Sequence, residues 1–404
     1  MLRAGRPAMR RWSSGASEDG CPSCRRLGEA SRSSGGAHPS STPRPNGGTR
    51  GSHPLKPHCP RWAGPALFLS LSVAAAAAAG CASASSSRAP WEGPLSPQTQ
   101  AVEKAVDRAY RHVRSANVAV AYLDLASGGR VLRNETRPFH AASTMKVPVM
   151  IAAWAAVDQG TLRIDQPITV KNDFRSIVDG SRYKLAKEDD GDPELYAAIG
   201  GTRPLSDLIR HMIVRSSNLA TNLLIDQLSA SRVMDVMRQL GALNVQVLRG
   251  VEDEKAFQAG FNNEVTAADL MLLLATLARA ASGPAVAAPA APPDPGANEP
   301  VATPPISRHA AAEMLEVLEA QEFNEKIPAG LPPGTPVAHK TGDITRIHHD
   351  AGLVLPPGES PYVLVVLTSG FDKEEEANRF IADLSRGIWE ARHLPPPGPK
   401  RGKG

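Results

Sequence analysis

The chain has 404 residues, with 45 lysines and arginines, 41 acidic residues and an apolar content of 42%. This apolar content is enough for a hydrophobic core, which excludes a wholly disordered chain. No uncharged stretch after the first 80 residues approaches the roughly 20 residues of a membrane span. Residues 1–61 hold 11 of the basic and 3 of the acidic residues. The rest of the chain is therefore slightly acidic, and nucleic-acid binding has no electrostatic support there.

The first 81 residues have the pattern of a leader followed by an export signal. Residues 1–61 form a basic, low-complexity leader, and an uncharged run from Ala63 to Gly80 ends in front of Cys81. A basic segment, a short apolar core and small residues predict a signal peptide at 62–81. Its end resembles the bacterial lipobox, in which Cys81 would be lipidated; an ordinary signal peptide or a single anchor helix are the alternatives. We therefore expect an exported, periplasmic protein with Cys81 as the candidate lipid anchor.

Two further features of the leader bear on processing and redox state. Because the basic region is unusually long, a translation start near Leu55 is an additional hypothesis. No cysteine follows Cys81, so the folded body has neither a disulfide nor a thiolate metal site.

After a linker at 82–95, residues 96–393 have the periodicities of one globular domain. Ser96 and Pro97 are typical of a helix start, a buried helix is expected from Ser143 to about Gly160, and helical patterns continue to about residue 280. An Ala/Pro-rich stretch at 281–306 predicts a surface insertion, and residues 394–404 predict a disordered tail. Further helices are expected at 308–320 and 373–391, and strands at 117–125, 130–134, 337–340, 351–355 and 362–368.

Strands at both ends of the domain, with helices between them, imply a sheet closed by distant segments. We therefore predict a mixed α/β (α+β) fold, in which a five-stranded antiparallel sheet is flanked by helices and an all-helical lobe is inserted in the middle. We expect a monomer.

A serine and a lysine lie three residues apart at the start of the buried helix. On a helix, Ser143 and Lys146 share one face, and the unpaired N–H groups of a helix N-terminus stabilise an oxyanion. A lysine held out of water has a lowered pKa and can accept the serine proton. The same spacing occurs at Ser181 and Lys184, in a charged loop without an apolar helix, which indicates coincidence.

Two further short motifs follow along the chain. Ser216-Ser217-Asn218 offers a hydroxyl for proton relay and an amide for binding a carbonyl or a lysine, although turn and capping chemistry would also explain it. Lys340-Thr341-Gly342 comes after an apolar strand entry, and a glycine there lets a substrate backbone approach closely. Ser115-Ala116-Asn117 also fits the middle pattern, but it begins a strand.

Taken in order, these three motifs resemble those of the penicillin-recognising serine enzymes. The stretches Ser216–Leu224, Arg249–Asp253 and Thr266–Leu270 look like those of a class A β-lactamase-type domain, and the resemblance covers about residues 95–393. It implies the β-lactamase/transpeptidase-like fold and acylation of Ser143 by a β-lactam.

The resemblance also implies roles for individual residues. Lys146 would be the base for acylation and Ser216 the proton shuttle, while Asn218 would contact both the substrate and the lysine. Lys340 and Thr341, followed by Gly342, would hold the substrate carboxylate. The backbone N–H groups of Ser143 and Asp343 would form the oxyanion hole. No cofactor and no metal are implied.

The sequence departs from the family pattern at three places. Glu252 is the expected base for deacylation, in competition with Asp253 and Glu254, but Ala256 stands where the family has an assisting asparagine. The alternative is that all three acids are solvated loop charges. Ser217 stands where the family usually has aspartate. The usual strand arginine is missing, so Arg346 or His349 would have to pair with the substrate carboxylate. The run His348–Asp350 might suggest a metal site, but adjacent strand residues point to opposite faces.

The first functional hypothesis is an exported class A-type serine β-lactamase that confers antibiotic resistance. The alternatives are an exported serine hydrolase, such as a D-alanyl-D-alanine peptidase-like enzyme with little β-lactam turnover, and a non-hydrolysing penicillin-binding sensor. The expected partner is accordingly a small β-lactam or a cell-wall peptide.

Overall fold

The structure is a computed structural model that describes residues 95–113, 116–283 and 306–394. The predicted leader, signal peptide and Cys81, nearly all of the Ala/Pro-rich insertion (284–305) and the tail after Leu394 lie outside the described residues. Within the described ranges, no helix combines the length and apolarity that crossing a bilayer requires.

Helices and strands alternate along the described chain in a mixed order. The α-helices are α1 (Pro97–Tyr110), α2 (Lys146–Asp158), α3 (Leu205–Val214), α4 (Asn218–Leu228), α5 (Ala230–Gln239), α6 (Glu254–Gln258), α7 (Ala267–Ser282), α8 (Arg308–Glu319) and α9 (Glu374–Arg392). The strands are β1 (Asn117–Asp124), β2 (Arg130–Arg133), β3 (Phe139–His140), β4 (Pro167–Thr169), β5 (Phe174–Arg175), β6 (Arg182–Tyr183), β7 (Thr202–Pro204), β8 (Glu264–Val265), β9 (Val337–Ile344), β10 (Ile347–Val354) and β11 (Tyr362–Ser369).

The predicted five-stranded antiparallel sheet is present, with the strand order β2-β1-β11-β10-β9. Strand β11, the last in the chain, lies between β1 and β10. Its residue Thr368 pairs with Val118 of β1 on one side and with His348 of β10 on the other. The sheet is therefore closed by segments from the two ends of the domain, as the sequence pattern predicts.

Strand β11 is buried on both faces, which explains its continuous apolar run. Val363, Val365 and Leu367 face the core formed with α2 and α7. Alternate residues face a second core, in which Val102 of α1 and Ile381 of α9 cover the opposite face of the sheet.

Helix α2 crosses the centre of the larger core. Residues Val147–Ala156 are all buried, so this helix is apolar all round, as expected for a helix enclosed by other elements. Helices α3, α4 and α5 pack around it and form the inserted lobe. This lobe is mainly helical, and the sequence pattern did not predict its two short antiparallel pairs, β4–β7 and β5–β6.

Two element boundaries near the motifs differ from the predicted ones. The helix expected from Ser143 begins as a 3₁₀ turn at Ala142–Met145, and α2 starts only at Lys146. Strand β9 continues to Ile344, so Lys340-Thr341-Gly342 lies inside a strand. Helix α1 begins as predicted, with the Thr99 N–H donating to Ser96 Oγ at 3.1 Å.

Candidate active site

Ser143 lies in the 3₁₀ turn that leads into α2. The turn begins at Ala142, whose φ of 45° lies in the left-handed region, and the Ala142 N–H donates to His140 Nδ1 at 3.1 Å. Burial, together with the nearby cation Arg249, lowers the pKa of His140 to about 4. The ring is therefore neutral at physiological pH and can accept this bond, which supports a backbone conformation that alanine seldom adopts.

The Lys146 side chain is completely buried beneath this turn. Its Nζ atom lies 3.0 Å from Ser143 Oγ and 2.8 Å from Asn218 Oδ1. It also lies 3.1 Å from Ser216 Oγ and 2.6 Å from Ser216 O. An ammonium has only three hydrogens for these four acceptors, whereas a neutral amine can accept the Ser143 proton.

The environment of Lys146 favours the neutral amine. Burial lowers the pKa of Lys146 to about 8, against the opposing carboxylates of Asp190 and Glu252. About a tenth of the lysine is therefore uncharged at pH 7, far more than at its ordinary pKa, and the uncharged amine is the form a general base requires.

Ser216 lies between two buried lysines. Its Oγ is 3.1 Å from Lys146 Nζ and 3.1 Å from Lys340 Nζ. Burial, and next the charge on Lys146, hold the pKa of Lys340 well below its usual range. A hydroxyl in this position can relay a proton between an amine and a leaving group, and Ser216 has the strained φ of 58° that often accompanies a functional position.

Gly342 brings strand β9 against the 3₁₀ turn that carries Ser143. A Cβ atom at this position would lie 3.1 Å from both Ser143 N and Thr144 N, so a side chain would push the strand away. The adjacent residue, Asp343, and Ser143 are the two residues whose N–H groups are expected to form the oxyanion hole. Thr341 is buried next to them, opposite Asp350 of β10.

The Asp343 carboxylate is held by two partners, neither of which the sequence pattern assigned to it. Lys326 Nζ lies 2.9 Å from Asp343 Oδ2, and His348 Nδ1 lies 3.0 Å from Asp343 Oδ1. Although burial alone would raise it, the charge and hydrogen bonds of these partners keep the pKa of Asp343 below its usual range. Lys326 is thus a buried cation beside the Lys340 motif, but it precedes β9 in a loop without a recognisable pattern.

Glu252 is joined to Lys146 through one amide. The Asn218 Nδ2 group donates to Glu252 Oε1 at 3.1 Å, while Asn218 Oδ1 contacts Lys146. The Ala186 N–H donates to Glu252 Oε2 at 3.3 Å. Burial raises the pKa of Glu252, and the two N–H donors oppose this rise.

The other two acidic residues of this loop do not reach the site. Asp253 caps α6 by accepting the Ala256 N–H at 3.1 Å, and it also accepts the Ile177 N–H at 3.0 Å. Glu254 is exposed and accepts a bond from Gln258. Glu252 is therefore the one of the three competing acids that lies beside Asn218.

The β5–β6 hairpin of the inserted lobe contacts the Glu252 loop. Lys255 Nζ lies 2.7 Å from Asp179 Oδ2 and 2.8 Å from Ser181 Oγ, between β5 and β6. The same contact includes the bond from the Ile177 N–H to Asp253 and the bond from the Ala186 N–H to Glu252. Ser181 and Lys184, the second Ser/Lys pair, thus belong to this hairpin rather than to a helix.

Both candidate substitutes for the missing arginine have other side-chain partners, although His349 lies opposite Gly342 in the β9–β10 register. Arg346 lies in the turn between β9 and β10, where its exposed side chain pairs with Asp372 at 3.2 Å. His349 is fully buried, contacts His140 O through Nε2 at 2.9 Å and accepts the Thr368 N–H at Nδ1. Burial lowers the pKa of His349 to about 4, so a charged imidazole is absent at neutral pH.

The His348–Asp350 run is divided between separate contacts. His348 contacts Asp343, whereas Asp350 contacts His339 Nδ1 at 2.9 Å and accepts the Ile327 N–H at 3.0 Å. Among residues 95–113, 116–283 and 306–394, no group of three or more His, Cys, Asp or Glu side chains is arranged to hold a metal ion.

Known proteins with this architecture are β-lactamases and related proteins. The model of the β-lactamase enzyme family matches residues 100–288 and 303–391. A β-lactamase from Sphaerobacter thermophilus is 25% identical, covers 74% of this chain and 99% of its own, and superposes with a TM-score of 0.57. PBP-A is 23% identical, with coverages of 75% and 98% and a TM-score of 0.57.

A β-lactamase from Chitinophaga pinensis is 22% identical, with coverages of 73% and 99% and the same TM-score of 0.57. A comparison with curated protein sequences gives no significant match. At 23% and 22% identity, PBP-A and the Chitinophaga pinensis protein support the shared fold alone. The family model, in contrast, spans more than half of the chain. The chain belongs to the β-lactamase enzyme family.

Proposed function

We propose that this protein is a class A-type serine β-lactamase that opens the β-lactam ring through an acyl-enzyme on Ser143. The observation that carries the proposal is the Asn218 bridge. One amide contacts Lys146, which lies 3.0 Å from Ser143 Oγ, and the same amide donates to Glu252. A base for acylation and a base for deacylation therefore lie on either side of one residue.

In the acylation step, Ser143 Oγ attacks the lactam carbonyl carbon and its proton passes to neutral Lys146. The N–H groups of Ser143 and Asp343 receive the developing oxyanion. When the tetrahedral intermediate collapses, the lactam C–N bond breaks and the ring nitrogen takes a proton from the Ser216 hydroxyl. Protonated Lys146 then returns a proton to Ser216. Lys340 and Thr341 hold the substrate carboxylate during this step.

In the deacylation step, Glu252 removes a proton from a water molecule that attacks the ester carbonyl. The bond to Ser143 Oγ breaks, and Oγ regains a proton as the opened product leaves. The raised pKa of Glu252 suits a general base, because basicity increases with pKa as long as the group stays ionised.

A solved complex of PBP-A gives support for acylation on this fold. A single-site variant of PBP-A, 23% identical to this chain, is an acyl-enzyme complex with penicillin G. In this chain Glu252 already lies beside Asn218, which favours release of the acyl group over a stable adduct. Ala256, in place of the assisting asparagine, favours the second candidate, a penicillin-binding sensor that is acylated and not released.

The test is to mix the purified protein with a chromogenic cephalosporin and follow turnover and intact mass together. Sustained hydrolysis that is lost in Ser143→Ala supports the β-lactamase. A stable adduct without turnover supports the sensor. No adduct and no hydrolysis would instead indicate a hydrolase of cell-wall peptides or esters.

We also propose that the protein is exported and lipid-anchored at Cys81, on the evidence of the leader pattern alone. Expression of the full chain in a bacterial host, followed by cell fractionation, tests this. We expect Cys81→Ser to move the protein from the membrane to the periplasmic fraction, while an unchanged distribution would contradict a lipid anchor.

A further inference from the structure

A short loop of the inserted lobe places a buried carboxylate at the start of α4. Asp190 Oδ1 accepts the Asn218 N–H at 3.0 Å, and Asp190 Oδ2 accepts the Leu219 N–H at 2.8 Å. The Ser217 hydroxyl accepts the next amide, that of Ala220, at 3.2 Å. The first three N–H groups of α4 are therefore satisfied by two side chains, and the negative one comes from outside the helix.

The remaining contacts of Asp190 keep this carboxylate in one orientation. The Tyr196 hydroxyl lies 3.1 Å from Asp190 Oδ2, and the Asp192 N–H lies 3.0 Å from Asp190 Oδ1. Asp190 is only 7% exposed. With two donors at each oxygen, the carboxylate is fully hydrogen-bonded, as a buried charge requires.

Gly191 and Asp192, which follow Asp190, pack this loop against the turn that contains Ser216. A Cβ atom on Gly191 would lie 2.3 Å from Arg215 O, so only glycine allows the approach. Asp192 is buried and contacts His211 and Arg215, the residues that lead into the turn. The loop Asp190–Asp192 is thus packed specifically against the second motif.

Asp190 is also the carboxylate with the largest influence on the charge of Lys146. Of the charged groups that oppose the lowering of the Lys146 pKa by burial, Asp190 comes first and Glu252 second. Asp190 also contributes to the raised pKa of Glu252. One buried carboxylate therefore favours protonation of both proposed bases.

We propose that Asp190 is a positioning residue that supplies, from a separate loop, the buried carboxylate that the family carries in the second motif at the place of Ser217. It fixes the Ser216–Asn218 turn through the N-terminus of α4 and sets the charge balance around Lys146 and Glu252. This inference rests on the proposed acylation of Ser143.

The decisive variant is Asp190→Asn, which keeps the size of the side chain and removes its charge. Because one carboxamide group cannot accept four donors, we expect acylation by a fluorescent penicillin to slow by roughly 10- to 100-fold. The acid limb of the pH–rate profile should move to lower pH, because losing the negative charge lowers the pKa of both bases.

Other charged and titratable groups face this site, and their presence limits the size of the shift. The groups that face Lys146, Glu252 or Asp190 are Lys340, Asp189, Tyr183 and Tyr196. Next to them, Glu188 acts on Tyr196, and His211 and Arg215 contact Asp192. Asp189→Asn is the matched control, since it removes an exposed charge one residue away without contact to α4. We expect it to change the acylation rate less than about twofold.

A second variant tests whether Ser217 and Asp190 share one role. In the Asp190→Asn background, Ser217→Asp should recover at least half of the lost acylation rate, because it returns a carboxylate to the same helix start. In the wild-type background, Ser217→Asp should slow acylation, because it places two carboxylates together. An effect of the same sign in both backgrounds would overturn the proposal.

A merely structural role would lower the rate of Asp190→Asn equally at every pH, and that result would also overturn the proposal. Amide hydrogen exchange at Asn218 and Leu219 gives a readout that does not need activity: it should accelerate in Asp190→Asn and not in Asp189→Asn. If wild-type protein is never acylated, the proposed function fails. The exchange data would still decide whether Asp190 holds the turn, and unchanged exchange would contradict it.

Discussion

The two sides of the site are built very differently. On the side proposed for acylation, Lys146 and Lys340 are completely buried, and the sheet, α2 and α4 hold them around Ser216. On the deacylation side, Glu252 is half-buried in a loop, with a left-handed φ of 60° and one weak backbone bond from Ala186. Core packing holds the first side. The second side is held by the surface contact between the β5–β6 hairpin and the Glu252 loop, which we call the clasp.

This difference shows which chemistry depends on which part of the fold. Close packing restricts the movement of the two buried lysines, so we expect the geometry around Ser143 to be well maintained. The Lys255–Asp179 contact of the clasp lies between half-exposed side chains, and such ion pairs contribute little stability. We therefore expect deacylation to be the more easily altered of the two steps.

The largest expected effect is on the buried side. Lys146→Met keeps most of the side-chain volume but removes the amine, and we expect acylation to slow roughly 10³- to 10⁴-fold because the base is lost. Intact-mass measurements of the penicillin adduct over time give the rate. The control is Lys184→Met, from the second Ser/Lys pair; a wild-type acylation rate in Lys146→Met would mean that another group accepts the proton.

Glu252→Gln should have the next largest effect, on the other side of the site. We expect deacylation to slow roughly 10²- to 10³-fold while acylation continues, because only the water-activating carboxylate is removed. The acyl-enzyme should then accumulate and be visible by mass. Glu254→Gln is the matched control, and equal effects of the two variants would argue against a specific role of Glu252.

The pH dependence of acylation should report the burial of Lys146. Its pKa is lowered to about 8, and the neutral amine is the active form, so the acylation rate should rise with pH by about tenfold per unit below this value and then level off. Stopped-flow acylation between pH 5 and about 9 measures this. A rate independent of pH over this range would contradict lysine as the base.

Ala186→Pro should separate the two sides with a smaller effect. The φ of −81° at Ala186 is close to that of proline, so the change removes the N–H donor to Glu252 with little backbone strain. We expect deacylation to slow roughly 3- to 10-fold, with acylation unchanged. Ala186→Ser keeps the N–H and should behave as wild type; a loss of acylation in Ala186→Pro would show that the two sides are not independent.

Arg346→Ala should have the smallest effect. Because its guanidinium is exposed and pairs with Asp372, we expect KM for a carboxylate-bearing β-lactam to change less than about twofold. Steady-state kinetics measure this. A large rise in KM would show that Arg346 turns toward the Lys340 motif when substrate binds.

Local patterns in the sequence predicted much of the fold. The continuous apolar run of β11, the Ser96–Pro97 helix start and the uncharged centre of α2 each depend on nearby residues, and each lies close to its predicted place. The short pairs β4–β7 and β5–β6 were not predicted, because strands of two or three residues have no measurable periodicity.

The site shows the same limit more sharply. The order of the three motifs was enough to predict that Ser143, Ser216 and Lys340 lie together. Asp190 and Lys326 were missed because each comes from a loop and reaches the site only through tertiary contacts. Arg346 was one of two candidates, with His349, because both follow Gly342 closely in the sequence, but Arg346 lies in the tight β9–β10 turn and pairs with Asp372.

The central place of β11 has a consequence for how the site forms. Strand β10, and through it the Lys340-bearing β9, is attached to β1 only by this last strand of the chain. Pairing of Val118 with Thr368 closes a very long loop, and such non-local contacts slow folding because their entropy cost comes before their reward. Until Tyr362–Ser369 is in place, the sheet does not connect the Lys340-bearing strand to β1, so we expect a partly synthesised protein to lack the assembled site.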